Sequence, residues 1–123
     1  MATQASRNGA GATCTGSTLA DAPLVVGPYT LNSRMIVGTG KFENFDIMRA
    51  AHRVSESDMV TVALRRVDLK NPDNNILRFI DTQQMTILPN TAGCYSVAEA
   101  LQVAELILEL DLPKLIKVEV IGD

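Results

Sequence analysis

The chain has 123 residues and a mass of 13.3 kDa, enough for one domain built on one core. Its 46% hydrophobic and 20% charged residues lie close to the globular average, which excludes a wholly disordered or fibrous chain. Eleven Lys and Arg against 14 Asp and Glu leave a net charge of -3 and no basic footprint for nucleic acid, and no run of about 18 apolar residues offers a membrane span.

From Met1 to about Ala22 the chain is mostly Ala, Ser, Thr, Gly and Gln. Such a composition lacks the apolar periodicity that would offset ordering entropy, so residues 1–23 are expected to form a disordered tail. A Ser-rich, acid-poor transit peptide is the rival reading, although Arg7 alone gives it little basic content. The segment has no apolar core of a secretory signal, and Cys14 and Cys94 match no metal or redox spacing. The expectation is therefore a cytoplasmic protein with free thiols, with no metal and no cofactor.

After Pro23, the triplets Leu24-Val25-Val26 and Tyr29-Thr30-Leu31 flank Gly27-Pro28 and predict a short hairpin. Apolar strands then alternate with helical stretches, the pattern of parallel βαβ units. The predicted strands are Met35–Val37, Met59–Leu64, Thr86–Leu88 and Leu115–Ile121. The predicted helices are Phe45–Val54, Asn74–Ile80 and Ser96–Leu110. In the last helix Val97, Ala100, Leu101, Ala104, Ile107 and Leu108 follow helical spacing and predict one stripe facing the sheet. Ser96 and Glu99 make a capping-box pattern at its start, and Pro113 marks its end.

The final predicted strand carries the clearest chemistry. Side chains of a strand alternate between faces, so Lys117 and Glu119 point the same way, their Cα atoms roughly 6.5 Å apart. An amine and a carboxylate so placed suit imine chemistry, the amine attacking a carbonyl and the carboxylate moving protons. The amine must be neutral to attack. Desolvation in a barrel or cleft favours that form and Glu119 opposes it, so burial or a further cation has to dominate. The plainer alternative is a half-buried strand with a solvated Lys and Glu on its outer face.

Three other segments are candidates for binding. Gly38-Thr39-Gly40-Lys41 follows the first core strand and permits close backbone approach to a ligand, but it has neither a dinucleotide fingerprint nor Walker spacing. Arg65 and Arg66 end the second strand, where a guanidinium suits a phosphate, a carboxylate or a structural ion pair. Leu88-Pro89-Asn90-Thr91-Ala92-Gly93 closes the third strand with a turn rich in amide and hydroxyl groups. His52, the single histidine, stands among Ala50, Ala51 and Arg53 without partners at metal spacing and reads as structural or solvated.

Taken in order, Gly38-Thr39-Gly40-Lys41-Phe42, Ala63-Leu64-Arg65-Arg66, Leu88-Pro89-Asn90-Thr91-Ala92-Gly93 and Ile116-Lys117-Val118-Glu119-Val120 resemble the bacterial thiazole synthases of the thiamine pathway. The resemblance runs from about Leu24 to Asp123 and implies a (βα)8 TIM barrel, which usually needs about 250 residues. Residues 24–123 are therefore expected to be the N-terminal half of such a barrel, with a leading β-hairpin and about four parallel strands, truncated after the fourth barrel strand. The implied reaction condenses 1-deoxy-D-xylulose 5-phosphate with dehydroglycine and sulfur from the thiocarboxylate of a carrier protein, giving a thiazole phosphate. By the same resemblance Lys117 forms the imine with the sugar ketone and Glu119 is an acid/base group, while Gly38, Thr39, Gly40, Arg65, Asn90 and Thr91, from the binding segments above, are the expected substrate contacts. A homo-oligomer is expected of the full-length protein, and the truncated chain alone is expected to be inactive.

Two alternatives from other classes remain open on the residues. The Lys and Glu pair also permits another Schiff-base enzyme of class I aldolase type. A half-barrel offering its exposed strand edges to a partner, without catalysis, is the other.

Overall fold

The structure is a computed structural model that describes residues 22–121. The expected tail, apart from its last two residues, lies outside them, as does Cys14.

Leu24–Val26 (β1) and Tyr29–Leu31 (β2) form the predicted antiparallel hairpin, with Val26 opposite Tyr29. Gly27 takes φ 57° at the first turn position, a conformation that matches the twist of the flanking strands and that glycine adopts without penalty. The hairpin is tied to the N-terminal ends of later elements. The Asp58 carboxylate accepts the Asn32 and Ser33 N–H groups, and the Tyr29 hydroxyl accepts the Lys114 N–H.

Ile36–Val37 (β3), Met59–Ala63 (β4) and Thr86–Asn90 (β5) form a parallel sheet in the order β3-β4-β5. Phe45–Ser55 (α1) and Val97–Glu109 (α2) are the crossover helices. In β4, Val60 and Val62 are fully buried while Thr61 and Ala63 are only half-buried, the period-two alternation of a strand with one covered face. Met48 of α1 and Val103 and Ile107 of α2 join Val60, Val62 and Ile87 in one core, so both helices cover the same face.

Local chemistry sets the helix ends. The Asn44 side chain accepts the Ile47 N–H at the start of α1, and Glu56 closes it in the left-handed region at φ 51°. Both bonds of the predicted capping box are present in α2. Its other end is a Schellman motif, in which Asp111 takes φ 51°, the Leu112 N–H reaches the Ile107 carbonyl and the Asp111 N–H reaches that of Leu108.

Three expectations need correction. The predicted helix Asn74–Ile80 is instead a pair of 3-10 turns, Pro72–Asn74 and Ile76–Phe79. Asn71 and Asn75 direct their side chains to the Asp73 and Leu77 N–H groups, and such local bonds compete with an α-helical ladder.

The stripe on α2 is also divided. Val97, Leu101 and Leu108 are 68%, 59% and 66% exposed, because the covered face is centred on Val103 and Ile107, roughly a third of a turn away.

The predicted fourth strand, Leu115–Ile121, is reduced to a single parallel bridge between Asn90 and Lys117. Pro89 accounts for the loss on one side. Its carbonyl accepts the Lys117 N–H at 2.9 Å, so an N–H at the same position would face Leu115, and proline has none. On the other side the Thr91 carbonyl accepts the Cys94 N–H of its own turn and is not offered to Glu119.

Candidate active site

The C-terminal ends of the parallel strands bring the candidate residues together. Ala63, Asn90 and Lys117 align across adjacent segments, which places Lys117 on the sheet face opposite the helices. A cleft of about 430 Å³ opens on that face, lined by Gly38, Thr39, Gly40, Thr61, Ala63 and Asn90, with Lys41 and Arg66 as its cationic members. Gly38 lies close over Thr61, since a Cβ added there would stand 3.7 Å from the Thr61 hydroxyl oxygen.

Lys117 Nζ stands 3.8 Å from a Glu119 carboxylate oxygen, the two side chains being 55% and 31% exposed. The shared face expected from strand parity is thus present without a full strand. The loop Asn90–Cys94 holds this segment in place. Lys117 donates to Pro89 and accepts from the Thr91 N–H at 3.2 Å, and the Ile121 N–H reaches the Cys94 carbonyl.

The remaining candidates occupy distinct positions. Asn90 is buried, and its side-chain oxygen accepts the Ala92 N–H, forming the turn. Thr91 is completely buried, with its hydroxyl on the backbone of Glu119. Thr39 lines the cleft while donating its hydroxyl to the Thr61 carbonyl at 3.0 Å. Arg65 is turned away from the cleft, where it donates to the Gly93 carbonyl and pairs with Glu99 at 3.4 Å.

Glu99 is the group with a displaced titration. The Tyr95 N–H, first of all, holds its carboxyl below the usual carboxylate range; desolvation opposes it, and the Ser96 N–H and the Arg65 guanidinium add to the lowering.

Arg65 is the arginine expected to contact substrate, whereas Arg66, its neighbour in the same candidate pair, and Lys41 of the glycine turn are the cations that line the cleft. Arg65 and Arg66 lie in a 3-10 turn, Leu64–Arg66, where strand parity no longer says which side chain faces the site. Lys41 reaches the cleft through a left-handed backbone at φ 66°. His52 is structural, as expected. It is 6% exposed, donates Nε2–H to the Gly38 carbonyl at 2.9 Å and meets the Phe42 ring edge-on. Among the described residues no group of three or more His, Cys, Asp or Glu could hold a metal ion, and no helix is long and apolar enough to cross a membrane.

The family model of the thiazole biosynthesis protein ThiG matches residues 25–123. The chain belongs to the ThiG family. A thiazole synthase of Sorangium cellulosum is 48% identical over 101 residues, covering 81% of this chain and 39% of the relative. One from Myxococcus xanthus is 42% identical over 104 residues, covering 84% and 40%, and one from Bacillus cytotoxicus is 45% identical over 101, covering 81% and 40%. The four ordered motifs thus named the correct family, one of thiazole biosynthesis, and the chain spans about 40% of the length of these curated relatives.

Proposed function

We propose that the chain forms the first βα units of a thiazole synthase barrel and carries its imine-forming lysine. The observation that carries this reading is the pairing of Lys117 with Glu119 at 3.8 Å on the uncovered sheet face, beside the cleft at the C-terminal strand ends. In (βα)8 barrels that end of the strands is where catalytic groups gather.

In the proposed reaction the Lys117 amine, as the free base, attacks the ketone carbon of 1-deoxy-D-xylulose 5-phosphate, and the resulting alkoxide takes a proton from solvent. Glu119 takes up the proton that the nitrogen sheds and returns it to the hydroxyl so formed, so that water leaves and a protonated imine remains. Dehydroglycine and sulfur from a carrier-protein thiocarboxylate then complete the thiazole phosphate. Lys41 and Arg66 give the cleft a cationic rim suited to an anionic substrate. A cytoplasmic homo-oligomer, completed by the remaining barrel units, is the form in which this activity is proposed.

Borohydride reduction in the presence of the keto-sugar phosphate tests the reading, using the chain extended to the full length of its relatives. The substrate mass is expected on Lys117 alone. Lys117→Arg should abolish trapping, because arginine stays protonated. Glu119→Gln should still trap while losing thiazole formation. Wild-type trapping and turnover in Lys117→Arg would overturn the assignment. The 123-residue chain by itself is expected to trap poorly.

A further inference from the structure

Thr91 is 0% exposed, and its hydroxyl holds both peptide groups of one residue. The oxygen donates to the Glu119 carbonyl at 2.6 Å and accepts the Glu119 N–H at 2.7 Å. In an uninterrupted parallel ladder the Glu119 N–H would go to the main-chain carbonyl of Thr91. That carbonyl is occupied by the Cys94 N–H, and the side chain takes over the missing rung.

One residue therefore addresses both members of the Lys117–Glu119 pair, since its own N–H also donates to the Lys117 carbonyl. Arg65 braces the same turn from outside through Gly93 and Glu99. We propose that Thr91 is a positioning residue, whose buried hydroxyl fixes the Glu119 backbone so that the carboxylate lies against the Lys117 amine. The proposal rests on the reading of Lys117 as the imine-forming amine and Glu119 as its acid/base group. A threonine that merely fills space would tolerate loss of the hydroxyl.

The test compares Thr91→Val, closest in shape but without the hydroxyl, with Thr91→Ser, which keeps it. Thr91→Ala removes the hydroxyl with less bulk and replaces the valine variant should that fail to fold. In the 123-residue chain, hydrogen exchange at the Glu119 amide should quicken about tenfold in Thr91→Val and stay near wild type in Thr91→Ser, with the Val62 amide unchanged. In the chain extended to full length, Thr91→Val should lower thiazole formation about tenfold or more at unchanged KM for the keto-sugar phosphate, a loss of the size expected when a reacting group is misplaced. Trapping at Lys117 should persist, and Thr91→Ser should restore turnover. Wild-type exchange and turnover in Thr91→Val, or a serine variant as impaired as the valine one, would overturn the proposal. Trapping that survives Lys117→Arg would instead overturn the underlying assignment while leaving the exchange result standing.

Discussion

At the scale of single residues, the site depends on groups whose partners are far away in sequence. His52 is separated from Gly38 by a turn and part of a helix, yet its ring holds the carbonyl at the start of the glycine turn. Replacing it with leucine keeps the bulk and removes the donor from a buried position. We expect His52→Leu to destabilise the chain by about 1–3 kcal/mol in urea denaturation, and to loosen exchange at the Thr39 and Gly40 amides more than at β5. Equal loosening throughout would show that the histidine contributes packing only. Pro89 offers the converse experiment, because it removes a donor where a strand would use one. Pro89→Ala should add an N–H facing Leu115 and lengthen the pairing, seen as a new slowly exchanging amide at position 89. A rapidly exchanging amide there would mean that the proline is not what shortens the fourth strand.

At the scale of elements, α2 shows how local and long-range chemistry meet. Ser96 and Glu99 cap the helix reciprocally, and the same Glu99 carboxylate receives Arg65 from the end of β4. Because folding lowers the Glu99 titration, its contribution to stability is present above the ordinary glutamate range and is lost as pH falls through its folded value. The difference in thermal midpoint between wild type and Glu99→Ala should therefore be clear near about pH 7 and close towards about pH 3. A gap independent of pH would assign the effect to helix propensity. The apolar spacing of α2 was legible, but which of its faces is covered was not. Val97, Leu101 and Leu108 have helical spacing as regular as that of Val103 and Ile107, and only the position of the sheet separates them. The segment Pro72–Phe79 escaped for a different reason, since asparagine side chains satisfy backbone donors locally and the periodicity of Ile76, Leu77 and Ile80 carried no information about that competition.

At the scale of the whole molecule, the described residues leave a parallel sheet with an exposed border. Val118, Val120 and Ile121 are 65%, 41% and 59% exposed, and Val97, Leu101 and Leu108 of α2 are exposed as well. Apolar surface left open to solvent promotes association. The 123-residue chain should thus self-associate with rising concentration in sedimentation measurements, and Leu101→Lys with Leu108→Lys should weaken that association while changing stability by no more than about 0.5 kcal/mol each. A monomer at all concentrations would show that the stripe is tolerated by solvent as it stands.

The family, the hairpin, the parallel alternation, the capping box of α2 and the common face of Lys117 and Glu119 were all legible in the chain alone. All of these follow from motifs or from periodicities of a few residues, which the chain carries locally. Only the tertiary structure decided that Arg66 and Lys41 reach the cleft while Arg65 turns to Glu99, and that Thr91 places its hydroxyl on Glu119. Those outcomes depend on where β4, β5 and the last segment meet. Residues 28 apart, such as Thr91 and Glu119, become hydrogen-bond partners only once a helix has carried the chain back to the sheet edge.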